Sequence, residues 1–261
     1  MKNKNYVVVT HQGNLYGSAH YLVEYLLKKA KTVLVIRHPF PDYKGDKHST
    51  MELYIDGSIV KKKNIKNYYP SDAINHLLNI HYTIKTVISV KRKMNLSFDA
   101  FIGVNCFNAS IGVILSRLGY IRKSIFYAVD FTHKRYENPI MNFFYKKTEL
   151  FSTRFSDLTW NVSHRMAQER LKQGVKKNRN KVIPNGCWFI NENSKKRIGN
   201  SLLFSGHLTE SKGVQEIIAI MPRIVKTSPK TTLTIVGTGP YEDQLKKQVS
   251  SLGMNKKESI T

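Results

Sequence analysis

Short runs rich in β-branched residues alternate with helical segments along the chain, and this alternation predicts an α/β fold with parallel sheets. Hydrophobic residues make up 41% of the 261 residues, which is a globular composition. A polar and basic stretch at residues 191–200 predicts a linker. The chain is therefore predicted to form two α/β domains, at residues 1–190 and 201–261, with the second one incomplete.

The first domain is predicted to contain a mostly parallel sheet. Its strands are short apolar runs, predicted at Tyr6–Thr10, Thr32–Ile36, Asp99–Val104, Ser124–Val129, Leu158–Asn161 and Lys181–Pro184. The stretch Glu52–Val60 predicts a hairpin, because Asp56-Gly57 suits a type I′ turn.

Helices are predicted between these strands, where apolar residues recur every three or four positions. They are placed at Ala19–Lys29, from a Ser71 cap to Lys93, at Ile111–Leu118, at Pro139–Phe155, and from a Ser163 cap to Gln173. The two serines are assigned as caps because a serine hydroxyl can accept a hydrogen bond from the first turn of a helix.

The second domain is predicted from two further strand–helix units. They comprise a strand at Leu202–Ser205, a helix at Gly213–Thr227, a strand at Thr232–Val236 and a helix that ends near Leu252. Two strands are fewer than a parallel sheet usually needs, and roughly another 100 residues would complete a typical domain. We therefore expect a truncated second domain, with Met254–Thr261 as a polar tail.

The charge is the strongest compositional signal. The chain has 42 Lys and Arg against 18 Asp and Glu, a net charge of +24, and residues 1–199 carry 34 of the basic and 13 of the acidic residues. Such an excess predicts an anionic partner, either a membrane surface, a nucleic acid or a phosphorylated substrate. A lysine-rich surface that serves only solubility is the alternative.

The location is predicted to be cytoplasmic. No stretch approaches the ~18 consecutive apolar residues of a membrane span, and the apolar run at Tyr6–Val9 is too short for a signal peptide. The two cysteines, Cys106 and Cys187, have no metal-type or Cys-x-x-Cys spacing. Together with the basic first domain, this predicts a cytoplasmic protein that associates peripherally with the inner face of the cell membrane.

Two loops between a strand and a helix are candidate phosphate sites. His11–Ser18, which contains Gly17, follows the first strand, and Ser205–Gly213 places Lys212 at the start of a helix. Exposed amides at a helix N-terminus attract phosphate, but a tight turn and a surface lysine are the structural alternatives. Gly237-Thr-Gly-Pro240 is likewise either a turn beside a phosphate or an ordinary turn.

The order of these motifs resembles glycosyltransferase family 4, the retaining enzymes with two facing Rossmann domains known as the GT-B fold. The motifs are the glycine loop, Ser156–Ser163, Lys181–Gly186, Phe204–Leu208, Lys212-Gly213 and Leu233–Pro240. The resemblance implies transfer of a sugar from a nucleotide-sugar donor to a glycan or lipid-linked acceptor of the cell envelope, with retention. It implies no cofactor and no metal ion.

The resemblance also implies roles for individual residues. Gly17 would face the donor diphosphate, and Lys212 would neutralise that diphosphate as it leaves, because fixed cations lower the barrier where negative charge develops. The remaining donor-binding candidates are His207, Gly213, Gly237 and Gly239, where His207 replaces the usual arginine.

On the acceptor side, the resemblance points to Asp130 and His133 as catalytic candidates. A carboxylate that caps a loop is the alternative for Asp130. The glutamate pair of the family would lie beyond Thr261, so the activity of this chain alone is left open.

Two function classes follow from these observations. The first is a glycosyltransferase, or a truncated remnant of one. The second is a catalytically inactive basic domain that binds a nucleotide, an anionic lipid surface or a partner chain. Nucleic-acid binding is not expected, because the sequence shows no helix-turn-helix, zinc-finger, RNA-recognition or KH signature.

Overall fold

The computed structural model describes residues 2–12, 17–39, 48–66, 72–186, 199–254 and 258–260. Its contacts divide the chain into two compact units, Met1–Trp188 and Phe189–Thr261. The α/β class predicted from the sequence is confirmed in both units.

The first unit is built on an eight-stranded sheet with the order β4-β3-β2-β1-β5-β6-β7-β8. The strands are β1 (Asn5–Gln12), β2 (Thr32–Pro39), β3 (His48–Ile55), β4 (Ser58–Lys66), β5 (Ala100–Val104), β6 (Ser124–Ala128), β7 (Leu158–Asn161) and β8 (Asn180–Val182). The strands β2, β1, β5, β6, β7 and β8 pair in parallel with their neighbours in this order. Strand β3 pairs antiparallel with both β2 and β4, and β3 and β4 form a hairpin at one edge. Asp56 and Gly57 in the hairpin turn both have positive φ, as the predicted type I′ turn requires.

Between these strands the described residues form five α-helices. They are α1 (Ser18–Lys29), α2 (Asp72–Lys93), α3 (Cys106–Arg117), α4 (Pro139–Phe155) and α5 (His164–Lys172), and a short 3-10 helix follows at Lys177–Arg179. The cap predicted at Ser163 is confirmed, since its hydroxyl accepts a hydrogen bond from the Met166 amide. The cap predicted at Ser71 lies outside the described residues.

The alternation of side chains along the strands divides the core of the first unit into two layers. On β1, Val7 and Val9 belong to the layer under α2 and α3, whereas Val8 belongs to the layer under α1. All three valines are fully buried. Burial on both faces explains why β1 reads as a continuous apolar run.

The second unit contains a smaller parallel sheet with the order β11-β10-β9. Its elements are β9 (Ser201–Ser205), a 3-10 helix (Glu210–Lys212), α6 (Val214–Thr227), β10 (Thr232–Val236), α7 (Glu242–Ser251) and β11 (Glu258–Ile260). Ile218 and Met221 of α6 and Leu245 of α7 pack against Leu233 and Ile235 of β10 in one buried cluster.

Two predictions were wrong in detail. The third helix begins at Cys106 and not at Ile111, because Asn105 caps it and the chain turns directly from β5 into α3. The predicted tail contains a strand, because β11 pairs in parallel with the exposed edge of β10. A three-residue strand held by backbone hydrogen bonds leaves little signal in the sequence.

Among the described residues, no helix combines the length and the apolar character needed to cross a lipid bilayer.

Candidate functional site

The first unit has a cavity at the carboxyl ends of its central strands. The sheet order reverses between β1 and β5, and open α/β sheets bind ligands in the crevice beside such a reversal. The cavity has a volume of about 290 Å³. Its lining comes from the ends of β1 and β5, the start of α1 and the segment after β6: Thr10, His11, Gly17, Ser18, Ala19, His20, Val104, Asn105, Val129, Asp130 and Arg135.

His11 at the end of β1 is held as a neutral imidazole. Its Nε2 accepts hydrogen bonds from the side-chain amides of Asn105 at 2.5 Å and Asn108 at 3.4 Å. Burial and the nearby His76 lower the pKa of His11 to about 3, against the opposing effect of a hydrogen bond to the His38 backbone. His11 therefore offers the cavity an uncharged ring at neutral pH.

Asn105 is a functional candidate that the sequence analysis missed. Its backbone lies at φ 73°, which is uncommon for a residue with a side chain, and its side-chain oxygen caps α3 by accepting from the Asn108 amide. Residues held in this region of φ cluster at binding and catalytic sites. The sequence signal was an asparagine directly after a buried strand, which is a preferred N-cap residue.

The lowered pKa values of His11 and its neighbour His38 predict how the stability of the fold depends on pH. Burial, followed by the proximity of His11 and His76, holds the pKa of His38 well below its usual value. Between pH 6.5 and about 3 the unfolded chain therefore binds protons that the folded chain does not. Above pH 6.5 both histidines are neutral in the folded and the unfolded chain, and they do not reduce the free energy of unfolding. As the pH falls below 6.5, the free energy of unfolding decreases by about 1.4 kcal/mol per pH unit for each histidine.

Urea unfolding at pH 7.5 and pH 5.0 measures this dependence. A His38→Asn variant should show a shallower pH dependence than the wild type, whereas the variant His133→Asn at an exposed position should keep the wild-type slope. Equal slopes for the wild type and the His38 variant would contradict this explanation.

The two predicted acceptor-side residues occupy different environments. Asp130 lines the cavity, and its carboxylate forms an ion pair with Arg135. His133 is exposed, does not line this cavity, and contacts Phe131 edge-to-face at 5.1 Å. The structure therefore brings Asp130 together with Gly17, but not His133, and it adds Arg135, which the sequence analysis did not select.

Gly17 lies directly before α1, where it acts as the N-cap residue. Its backbone N–H donates to the Nδ1 atom of His20 at 3.2 Å. No heavy atom lies within 4 Å of the position that a Cβ at Gly17 would take, so the cavity leaves room beside it. The preceding loop residues 13–16 lie outside the described residues.

A second cavity of about 410 Å³ shares Ser18 with the first and is mainly aromatic. Tyr21, Tyr127 and Trp160 line it, together with residues of the predicted turn Ile183–Gly186. The Tyr127 hydroxyl donates to the side-chain oxygen of Asn185 at 3.4 Å. This turn therefore forms part of a cavity wall.

In the second unit, the predicted donor-binding residues lie at the carboxyl edge of the sheet. His207 and Lys212 are exposed in the connection from β9 to α6, and Gly237 and Gly239 lie in the connection from β10 to α7. The two connections are joined by backbone hydrogen bonds, for example from the Leu208 amide to the Thr238 carbonyl at 3.0 Å. Because β9 and β10 are adjacent and parallel, all these residues share one edge.

Backbone conformation and close packing favour glycine at three positions of these connections. Gly213 has φ +70° at the start of α6, and Gly237 has φ +151°. A Cβ at Gly237 would lie 1.9 Å from the Gly206 carbonyl oxygen, and one at Gly239 would lie 2.1 Å from the Leu208 carbonyl oxygen. Close packing of the two connections therefore accounts for Gly237 and Gly239 as turn residues.

Residues 189–260 match the family model described as glycosyl transferases group 1. This match covers the second unit. In addition, 44 residues of the chain are 50% identical to glycogen synthase of Mycobacterium tuberculosis (strain CDC 1551 / Oshkosh), which is 17% of this chain and 11% of that protein.

Solved structures with the same fold extend over nearly the whole chain. The Anabaena protein HepE in complex with UDP is 15% identical with a TM-score of 0.59, and the match covers 98% of this chain and 68% of that one. The catalytic domain of starch synthase IV from Arabidopsis thaliana, bound to ADP and acarbose, is 10% identical with a TM-score of 0.62. That match covers 99% of this chain and 74% of the starch synthase chain. These matches confirm the predicted GT-B type fold class.

Proposed function

We propose that this chain transfers a sugar from a nucleotide-sugar donor to a glycan or lipid-linked acceptor, with retention of the anomeric configuration. The observation that carries the proposal is the match of residues 189–260 to glycosyl transferases group 1. HepE and starch synthase IV, which share the fold, were solved with UDP and ADP respectively, and this supports a nucleoside diphosphate as the common part of the donor.

The donor side of the proposal rests on the carboxyl edge of β9 and β10. Lys212 and His207 are exposed beside the amides at the start of α6, where an anion is favoured by the helix dipole. The Lys212 ammonium would compensate the charge that develops on the leaving diphosphate. Gly237 and Gly239 allow the two connections to pack closely at this edge, and Gly213 supplies the positive φ before α6.

The acceptor side of the proposal rests on the cavity of the first unit. Hydroxyl groups of a sugar need both donors and acceptors, and Arg135 and Asp130 supply them around this cavity, where the neutral His11 adds an uncharged wall. His133 would contribute only from outside the cavity. A role of Gly17, at the N-terminus of α1, in contacting the donor diphosphate stays a prediction from the resemblance.

The net charge of +24 supports an anionic membrane surface as a further partner, with the protein peripheral to the membrane. That no metal ion or cofactor takes part stays a prediction from the sequence.

A Lys212→Ala variant tests the donor side. Charge-assisted hydrogen bonds to a phosphate contribute about 1.5–3 kcal/mol, so the affinity for UDP or ADP should fall by roughly tenfold or more. Isothermal titration measures this affinity. Lys226→Ala provides the control, because Lys226 is also exposed, in the last turn of α6, and its replacement should leave the affinity unchanged.

The same samples test turnover. Incubation with UDP- and ADP-sugars and release of the nucleoside diphosphate separate sugar transfer from binding without turnover. Wild-type affinity in the Lys212 variant would contradict the assigned phosphate site, and nucleotide binding without any release of nucleoside diphosphate would favour the inactive binding domain.

A further inference from the structure

Helix α4 buries several polar side chains and exposes several large apolar ones. Its buried face includes the polar side chains of Glu149, Ser152 and Thr153. Its solvent face carries large apolar side chains with exposed fractions between 37% and 68%: Ile140, Phe143, Phe144, Phe151 and Phe155. A surface helix normally has the opposite arrangement, with the apolar stripe facing the core.

Buried polar contacts fix the orientation of α4. The Ser152 hydroxyl donates to the Cys106 carbonyl at 2.7 Å, and Glu149 forms a buried ion pair with Arg170 at 2.9 Å. Rotation of α4 would leave these groups buried and unpaired, at a high cost in free energy. These polar contacts therefore fix the orientation in which the aromatic side chains of α4 are exposed.

The exposed apolar residues form one continuous surface. Positions 140, 144, 147, 151 and 155 recur every three or four residues, which places Lys147 and four of the apolar residues on one side of the helix. The fifth, Phe143, joins them because its ring centre lies 5.9 Å from that of Phe144. We call the five apolar residues of this side, with Ile114 and Leu118 of the adjacent α3, the aromatic face. Contiguous exposed apolar surfaces of this kind mark interaction sites with proteins or membranes.

Basic residues surround the aromatic face. The Lys147 ammonium lies 5.4 Å from the centre of the Phe143 ring, and the Arg117 guanidinium lies 5.5 Å from the centre of the Phe155 ring. Lys146 and Arg154 are also exposed on α4. The only carboxylate of α4 is Glu149, which is buried in its ion pair, so the exposed side of the helix is purely basic and apolar.

We propose that the aromatic face of α4 docks on an anionic lipid bilayer. Phenylalanine side chains on one side of a helix insert at the boundary between head groups and acyl chains, while lysine and arginine bind anionic head groups. A second copy of this chain fits less well, because a symmetric contact through this face would bring Lys146, Lys147 and Arg154 against like charges. The inference locates the membrane association proposed above, and it does not depend on sugar transfer.

Sedimentation of the full chain with vesicles tests this inference. Wild-type protein should bind vesicles that contain phosphatidylglycerol more tightly than vesicles of pure phosphatidylcholine, with binding weakened at high salt. The double variant Phe144→Ser/Phe151→Ser should lose roughly tenfold or more of this affinity. Lys146→Glu/Lys147→Glu should remove the preference for phosphatidylglycerol.

The matched control is Ile59→Ser/Val60→Ser, because both side chains are about half exposed on β4, outside the aromatic face. This variant should bind vesicles as the wild type does. Circular dichroism of each variant verifies folding, and all four serine substitutions, at Phe144, Phe151, Ile59 and Val60, are at exposed positions. Wild-type vesicle binding by the Phe144/Phe151 variant would overturn the proposal, as would concentration-dependent dimers that require Phe144 and Phe151 without any vesicle binding.

Discussion

Replacement of Arg170 by alanine is expected to lower the free energy of unfolding by about 3–5 kcal/mol, because it leaves the carboxylate of Glu149 buried without its partner. Arg170 is fully buried on α5 and binds Glu149 at 2.9 Å and the Gln173 side chain at 2.7 Å. Its guanidinium also lies between two rings, 5.0 Å from the centre of Phe126 and 5.2 Å from the centre of Phe131.

The contact with Phe131 gives Arg170 a second effect. Phe131 directly follows Asp130, which lines the cavity of the first unit. Loss of the guanidinium removes the side chain that packs on Phe131, so the segment carrying Asp130 loses a contact with the core. We therefore expect the Arg170→Ala variant to be impaired in the proposed acceptor binding even under conditions where it remains folded.

Chemical unfolding with urea measures the change in stability. Arg165→Ala is the matched control, since Arg165 is exposed on the same helix and its removal should change stability by less than about 0.5 kcal/mol. If the Arg170 and Arg165 variants were equally stable, the buried ion pair would not contribute as the structure indicates.

Replacement of Gly237 by alanine is expected to destabilise the second unit by about 3 kcal/mol or more. Two effects add here, because the new Cβ would lie 1.9 Å from the Gly206 carbonyl oxygen and because φ at Gly237 is +151°. The displaced atoms are backbone atoms, so no flexible side chain can move aside. The connection that carries His207 and Lys212 would have to shift.

Thermal unfolding of the Gly237→Ala variant measures this effect. Gly199→Ala is the control, because no heavy atom lies within 4 Å of its Cβ position and its φ is outside the left-handed region. A Gly237 variant that unfolds at the wild-type temperature would show that the close approach of the two connections does not exist in solution.

Local sequence signals predicted most elements of the fold, where those signals were strong. The bounds of α4 were predicted correctly, because Asn138 and Pro139 are an N-cap and a first-turn residue of known preference. The start of α3 was missed because the apolar pattern was followed instead of the cap at Asn105. The strand β11 was missed because its pairing depends on the backbone edge of β10.

The candidate site was only partly predictable, because its contacts join distant parts of the chain. His11 and Asn105 are 94 positions apart, and only the parallel pairing of β1 with β5 brings them together. The polarity of α4 could not be assigned from its sequence either. The hydrogen bond of Ser152 and the ion pair of Glu149 join α4 to other parts of the chain, and these contacts place its polar side inward.

Amide hydrogen exchange measured by mass spectrometry, with and without millimolar UDP or ADP, tests the central claim most directly. The proposed transferase binds its donor at the carboxyl edge of β9 and β10, so the nucleoside diphosphate should slow exchange in residues 205–213 and 237–241 of the second unit. The Lys212→Ala variant should show less protection at the same concentration of nucleotide. Unchanged exchange at both connections in the presence of either nucleotide would contradict the account.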